Sequence, residues 1–301
     1  MYITINQTPI YAYTGGKPFD TAKPTMVFIH GVLNDHSVWI LQTRYFANRV
    51  SPHGYNVLAV DLPGHGKSEG NCPKTVEEAA EFVLSLLSEM KVKQAALIGH
   101  SWGSLIALHA TSIASERGLH ILHLAMVGTA FPMKVSPALL DASLNEPMKA
   151  IEMVNTFSHS MLAPPPSALG PGTWLYGGSR ALMRRVYNTA MTSSTRENVF
   201  HIGFNACNSY EGAFLALNRL TAGIESAQIA IIFILGAADQ MTIPKAAQGL
   251  IDLAPGAKVV KVSGGHQLMT EAPEETLMAL ADWLKVSPMK LPMQTPIQTS
   301  A

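Results

Sequence analysis

The chain has 301 residues, of which 48% are hydrophobic and 14% are charged. This composition allows a large buried core and excludes a coiled coil or a chain kept unfolded by its charge. Its 21 basic residues equal its 21 acidic residues, so the net charge gives no sign of a nucleic-acid-binding face.

The remaining global features favour a soluble protein of a reducing compartment. The two cysteines, Cys72 and Cys207, lack the paired spacing of a zinc or redox site. The N-terminal residues resemble no signal peptide, and the longest apolar run, 229–235, is far shorter than the ~20 residues of a membrane span. We therefore expect a cytoplasmic protein that binds neither nucleic acid nor membrane. The sequence does not distinguish a monomer from a homodimer.

Short apolar runs bounded by Gly, Pro or Asp recur along the chain and predict β-strands. Most are unbroken, which is typical of strands buried on both faces of a parallel sheet. They cover residues 26–30, 56–60, 95–99, 121–127, 229–235 and 258–262. Amphipathic helical patterns lie between them, over 75–90, 103–116, 244–254 and 273–285. This alternation predicts a doubly wound α/β sheet.

The segment between the runs at 121–127 and 229–235 has no convincing strand. Helical patterns over 138–160, 179–192 and 209–221 predict a helical insertion on the sheet. It contains six methionines: Met133, Met148, Met153, Met161, Met183 and Met191. Because methionine fills irregular apolar space, they could form a pocket roof or ordinary helix core. The proline-containing tail after Val286 is expected to be poorly ordered.

The pentapeptide Gly99-His100-Ser101-Trp102-Gly103 follows a predicted strand and opens a predicted helix. It is a G-x-S-x-G nucleophile elbow in the strand–turn–helix context that the motif requires. The sharp turn lifts the Ser101 hydroxyl above the sheet, and side chains two residues to either side would collide there. Ser101 is therefore the predicted nucleophile.

A serine nucleophile needs a base and an acid that orients it, and after such an elbow they follow in the order acid, then histidine. His266 lies after the last predicted strand, in a loop where ligands bind in open α/β sheets. Asp239 is the first carboxylate after the preceding strand, whereas Asp252 and Asp282 fall inside predicted helices. We predict that His266 is the base and that Asp239 orients it.

Acyl transfer also needs N–H donors for the oxyanion that develops in the transition state. One is expected from the backbone of Trp102, directly after the nucleophile. The second is expected from Val32, in the loop after the strand at 26–30, where Gly31 permits close approach of the backbone.

These motifs resemble the α/β-hydrolase fold family. The likeness covers residues 1–130 and 226–286 and rests on His30-Gly31, the stretch from Asp61 to Ser68, the elbow, Gly236 to Asp239 and Gly265-His266. It implies an eight-stranded, mostly parallel sheet flanked by helices, a Ser101–His266–Asp239 triad and a helical cap over 131–225. It also implies a substrate pocket that includes His30, His36, Trp39, Phe131 and Met161. Ser101 sets the chain apart from the branches that use an aspartate nucleophile.

We expect a serine hydrolase, similar to a carboxylesterase, that cleaves an ester or related carbonyl bond of a small, mostly apolar substrate. No metal and no organic cofactor is implied. Three alternatives remain: a carbon–carbon bond hydrolase on a ring-cleavage diketone, a perhydrolase or lactonase, and a non-catalytic ligand receptor on the same fold. Three arginines of the insertion, Arg180, Arg184 and Arg185, could bind an acidic group or form a solvated helix face.

Overall fold

The structure, a computed structural model, describes residues 1–48, 55–160, 171–222 and 229–286. Three predictions lie outside these residues: the poorly ordered tail over 287–301, the position of Met161, and the boundary between cap and core at residues 225 and 226.

The described residues form one sheet whose strands appear in the order β1-β2-β4-β3-β5-β6-β7-β8. The strands are β1 (Tyr2–Ile5), β2 (Thr8–Tyr13), β3 (Thr25–Ile29), β4 (Asn56–Val60), β5 (Gln94–His100), β6 (His120–Val127), β7 (Ala230–Gly236) and β8 (Lys258–Val262). Strand β2 pairs antiparallel with β1 and β4, and the other pairs are parallel. The predicted α/β fold with an eight-stranded, mostly parallel sheet is confirmed.

Helices follow most of the strands. They are α1 (Ile40–Asn48), α2 (Val76–Glu89), α3 (Trp102–Ile113), α4 (Pro137–Asn145), α5 (Pro147–Ser158), α6 (Pro171–Thr192), α7 (Val199–Ser209), α8 (Ala213–Thr221), α9 (Gln248–Leu253), α10 (Leu268–Glu271) and α11 (Pro273–Val286). The pattern at 103–116 ends as a 3-10 turn after Ile113, and the pattern at 244–254 begins as one. None of the helices in the described residues is both long and apolar enough to cross a membrane.

Both faces of the central strands are buried, which explains their unbroken apolar sequences. Neighbouring side chains of a strand point to opposite faces. In β3, Val27 and Ile29 join the core cluster that includes α2 and α3. Met26 and Phe28 join the second cluster, with α1 and α11. The sheet is therefore packed between two helical layers, and its loops carry the polar groups described below.

The five helices α4 to α8, which we call the insertion, lie between β6 and β7. Its predicted helical character is confirmed, with α6 longer than its sequence pattern and α7 separated from α8 by residues 210–212. Helix α7 reaches the loop after β3, because a Cβ atom on Gly203 would lie 3.0 Å from Val32 Cγ2. Helix α8 packs beside α3 and α9.

Candidate active site

Ser101 occupies a strained turn between β5 and α3. Its backbone angles are φ 54° and ψ −120°, a conformation that costs a non-glycine residue about 1–3 kcal/mol. A Cβ atom on Gly99 would lie 2.0 Å from Gly103 O, and one on Gly103 would lie 2.5 Å from Ile29 O. Both flanking positions must therefore be glycine, as the steric argument from the sequence predicts for such an elbow.

His266 and Asp239 form a buried hydrogen-bonded pair in the loops after β8 and β7. His266 Nδ1 donates to Asp239 Oδ2 at 2.9 Å, which leaves the lone pair on Nε2. Asp239 Oδ1 accepts from the backbone N–H groups of Met241 and Thr242, each at 2.8 Å. Thr242 Oγ1 donates to Asp239 Oδ2 at 2.7 Å. The carboxylate thus has four donors, and the imidazole has one fixed tautomer.

The environment of Asp239 favours its ionised form. Burial raises the pKa of the carboxyl, but the charge of His266 and the hydrogen bonds from His266 and Thr242 outweigh burial and hold the pKa below its ordinary value. Beside this pair, His100 Nε2 donates to the carbonyl oxygen of His266 at 2.8 Å. Burial, followed by the charge of His266, lowers the pKa of His100 to about 3, so His100 is a neutral hydrogen-bond donor.

Ser101 and His266 both line a cavity of about 250 Å³ under the insertion. Its wall is largely apolar and includes Val32, Met133, Leu139, Met153, Phe157 and Phe204, while Lys134, Ser136, Gln240 and Thr242 add polar groups. Within the described residues, Ser101 Oγ makes no hydrogen bond to His266. Such catalytic contacts are often long without substrate and tighten when it binds.

Sequence reasoning did not single out most of this wall. The one sequence feature that pointed to the wall was the methionine content of the insertion, because Met133 and Met153 line the cavity. Met183 is instead buried in the core.

Two backbone N–H groups are available beside Ser101. A Cβ atom on Gly31 would lie 3.1 Å from Ser101 Cβ, so the loop after β3 closely approaches the elbow. In the part of the chain that the structure describes, the amide groups of Val32 and Trp102 have no protein acceptor. Trp102 is also the first residue of α3, where N–H groups lack partners within the helix and carry partial positive charge.

The two other predicted histidines lie away from the cavity wall. His30 is fully buried: Nδ1 donates to Gly31 O at 2.8 Å, and Nε2 accepts from Leu62 N at 3.1 Å. Burial lowers the pKa of His30. His36 Nδ1 lies 2.8 Å from Asp61 Oδ1. Both rings therefore form hydrogen bonds with the loops that follow β3 and β4 and do not face the cavity.

The predicted aromatic pocket residues are packing residues. Trp39 is fully buried against Phe28, at a ring-centroid distance of 5.3 Å. Phe131 packs edge-on against Phe214 at 4.8 Å. Neither ring is part of the cavity wall.

Comparisons with known proteins identify the family of this chain. A family model described as "Alpha/beta hydrolase family" matches residues 26–279. The chain belongs to this family. The structure of this chain superposes on that of an enol-lactonase from Burkholderia xenovorans LB400 with a TM-score of 0.74. The two sequences are 19% identical, and the match covers 95% of this chain and 100% of the other. An esterase from Exiguobacterium antarcticum superposes with a TM-score of 0.74 at 16% identity, and the match covers 95% of this chain and 99% of the esterase. These likenesses show the fold.

A curated sequence relative is the dihydrolipoyllysine-residue acetyltransferase component of an acetoin cleaving system from Cupriavidus necator. It is 32% identical over 119 residues, which are 39% of this chain and 29% of the relative. The chain matches about a third of the length of the curated relatives, at 29%, 36% and 33% for the first three. The matching proteins include hydrolases and esterases.

Two further clusters of charged residues lie outside the cavity wall. Asp35, His36 and Asp61 present ligand atoms within 4.8 Å of one another, but protein donors already occupy these carboxylates. Asp61 accepts from the backbone and ring of His36, and Asp35 accepts from Ser37 N at 2.8 Å. Arg185 pairs with Asp35 at 2.9 Å. The exposed Arg180 lies 3.4 Å from Glu152, which fits a solvated helix face.

Proposed function

We propose that this chain is a serine hydrolase that cleaves an ester or related carbonyl bond through an acyl-enzyme. The observation that carries the proposal is the joint geometry of three groups. Ser101 occupies the strained elbow, His266 is hydrogen-bonded to the buried Asp239, and Ser101 and His266 face one cavity. A site that only binds a ligand needs neither the strained turn nor the ionised partner of the histidine.

In the proposed reaction, Ser101 Oγ attacks the substrate carbonyl carbon while His266 Nε2 takes the hydroxyl proton. The Nδ1–H bond to Asp239 Oδ2 keeps this lone pair on Nε2 and stabilises the imidazolium that forms. Asp239 stays ionised throughout, because its lowered pKa disfavours protonation. The imidazolium then protonates the leaving group, and water releases the acyl group from Ser101 by the same steps in reverse.

The proposed oxyanion hole consists of the N–H groups of Val32 and Trp102. Both belong to the backbone, so they are held in place by β3, by α3 and by the close contact of Gly31 with the elbow. Donors that are fixed before the reaction stabilise developing charge without reorganising. The loss of one such donor typically raises the barrier by about 2.7–4 kcal/mol.

The cavity supports a small, mostly apolar substrate. A volume of about 250 Å³ is slightly below the usual range of about 300–1,000 Å³ for small-molecule sites. Met133, Met153 and Phe204 line it with apolar surface. We infer that the insertion acts as a cap that holds the acyl or alcohol part of the substrate. A lactone would meet the same wall, so lactone hydrolysis is an outcome of the test below.

The test is hydrolysis of p-nitrophenyl esters from acetyl to decanoyl, with the wild-type protein beside Ser101→Ala. We expect turnover with a chain-length optimum among the shorter acyl groups, and a loss of about 10⁶-fold in kcat for the variant. Ser112→Ala changes a serine at the far end of α3, where the hydroxyl donates only to His109 O, and serves as the control. Equal activity of wild type and Ser101→Ala would refute the nucleophile. A folded protein without activity on any ester would favour the carbon–carbon hydrolase or the receptor.

A further inference from the structure

One carboxylate joins the insertion to the loop that carries His266. Glu271 Oε1 accepts a hydrogen bond from Ser160 N at 2.8 Å, and Oε2 accepts one from Gly265 N at 2.7 Å. Ser160 lies just after α5, and Gly265 directly precedes His266. The two oxygens of one side chain therefore hold two backbone segments that are far apart in the sequence.

The same segments are also in direct contact. The backbone N–H of His266 donates to Ser158 O at 2.7 Å, and that of Gln267 donates to the same oxygen at 3.3 Å. A Cβ atom on Gly265 would lie 2.6 Å from Ser160 N and 2.6 Å from Glu271 Oε2. No side chain fits at residue 265 unless α5 moves away from the loop.

His266 is thus fixed at three points. Its N–H is bonded to the end of α5 through Ser158, its carbonyl oxygen to His100 Nε2, and its ring to Asp239. Only the first of these contacts comes from the insertion. Helix α5 also supplies Met153 and Phe157 to the cavity wall, so the helix that would contact the substrate also holds the backbone of His266.

We propose that Glu271 is a positioning residue for the hydrolysis: its carboxylate clamps the end of α5 to the loop of His266 and thereby keeps the imidazole within reach of Ser101. The inference rests on the proposed function. Glu271 touches neither the cavity wall nor the Asp239–His266 pair, so it acts through the backbone. A misplacement of about 1 Å at a reacting group can lower a rate by about 100-fold.

Glu271→Gln tests the clamp, and the chain provides a matched control. The amide keeps the shape of the side chain, but one acceptor oxygen becomes an NH2 group that faces a backbone N–H. Glu275 binds the same loop from α11: Oε2 accepts from Ser263 N at 2.7 Å, and Oε1 accepts from Ser263 Oγ. Glu275→Gln therefore removes the same charge beside the same loop without affecting the insertion.

The readouts are steady-state kinetics and the burst of p-nitrophenol, which separates the number of active sites from their rate. For Glu271→Gln we expect kcat and the acylation rate constant to fall about 10-fold to 100-fold, with an unchanged burst amplitude and a KM within about twofold of the wild type. For Glu275→Gln we expect wild-type values. A variant that is merely less stable would lose burst amplitude and keep the rate constant of the remaining sites.

Amide hydrogen exchange makes the clamp testable even if the proposed function fails. We expect faster exchange around Ser160 and Gly265 in Glu271→Gln than in Glu275→Gln. Ester turnover by the wild type with equal rate constants in both variants would overturn the inference and leave the proposed function intact. If the wild type hydrolyses no ester, the proposed function fails, and unchanged exchange in Glu271→Gln would overturn the clamp as well.

Discussion

Gly31→Ala probes the proposed oxyanion hole without changing a polar group. The added Cβ atom would lie 3.0 Å from His100 Nδ1 and 3.1 Å from Ser101 Cβ, whereas ordinary contact begins at 3.4 Å. The loop after β3 must therefore move away from the elbow by roughly 0.3–0.4 Å, the difference between these distances. Gly31 is not among the glycines with a positive φ, so alanine adds no backbone strain. The perturbation is a small shift of the adjacent Val32 N–H relative to Ser101.

The expected loss of kcat in Gly31→Ala is a fraction of the loss caused by removing one oxyanion donor completely. Complete loss of one oxyanion donor lowers kcat by about 10²–10³-fold. A shift of a few tenths of an ångström weakens the bond without abolishing it. We therefore expect kcat to fall about 10-fold to 100-fold, which corresponds to about 1.4–2.7 kcal/mol of barrier. KM should change little, because the N–H group interacts most strongly with the oxyanion of the transition state.

The assay compares kcat and KM of wild type, Gly31→Ala and Gly177→Ala on the preferred p-nitrophenyl ester, with thermal unfolding of each protein. Gly177 lies in α6, and a Cβ atom there would meet nothing within 4 Å. The Gly177→Ala variant should leave kcat unchanged and stabilise the helix by up to about 1 kcal/mol. Full activity of a folded Gly31→Ala protein would refute the role of the Val32 N–H.

Three further predictions concern the pair and the cavity. Asp239→Asn should lower kcat by about 10⁴-fold without unfolding the protein, because His266 loses its fixed tautomer; near-normal turnover would show that another group orients the ring. The lowered pKa of Asp239 stabilises the fold above the ordinary carboxyl pKa, and this contribution is lost as pH falls through the lowered value. Thr242→Val removes one donor and raises this pKa, so acid unfolding followed by circular dichroism should begin at higher pH; an unmoved midpoint would contradict the assignment. Met153→Trp should fill the cavity and shorten the preferred acyl chain in the ester series, and an unchanged preference would place the acyl group elsewhere.

The fold could be predicted from the sequence because its central strands are buried on both sides. Runs such as 26–29 and 230–235 are apolar throughout, and at four to six residues they are too short for helices. The strands β1 and β2 were not identified individually, since they lie at the antiparallel edge, where exposed or half-buried residues interrupt the apolar run. Helices α1 and α7 were not identified as separate elements.

The candidate site could be predicted only where chain position fixes geometry. The hydrogen bond between His266 and Asp239 follows from the order of strands, because carboxyl ends of neighbouring parallel strands lie side by side. The cavity wall depends on how the insertion folds back, which no local pattern records. Trp39 and Phe131 therefore looked like pocket residues by position, but their rings pack inside the core. The contacts of Glu271 with Ser160 and Gly265 have no sequence signal.

Covalent labelling of Ser101 tests the central claim most directly. The reagent is diethyl p-nitrophenyl phosphate. The oxygen of an activated serine attacks its phosphorus atom, p-nitrophenolate leaves, and a stable Oγ–phosphorus bond remains. Intact mass and peptide mapping of wild type, Ser101→Ala and Asp239→Asn locate the adduct. The account predicts one adduct per wild-type chain on Ser101, much slower labelling of Asp239→Asn and none of Ser101→Ala. An adduct on another residue, or equal labelling of wild type and Ser101→Ala, would contradict it.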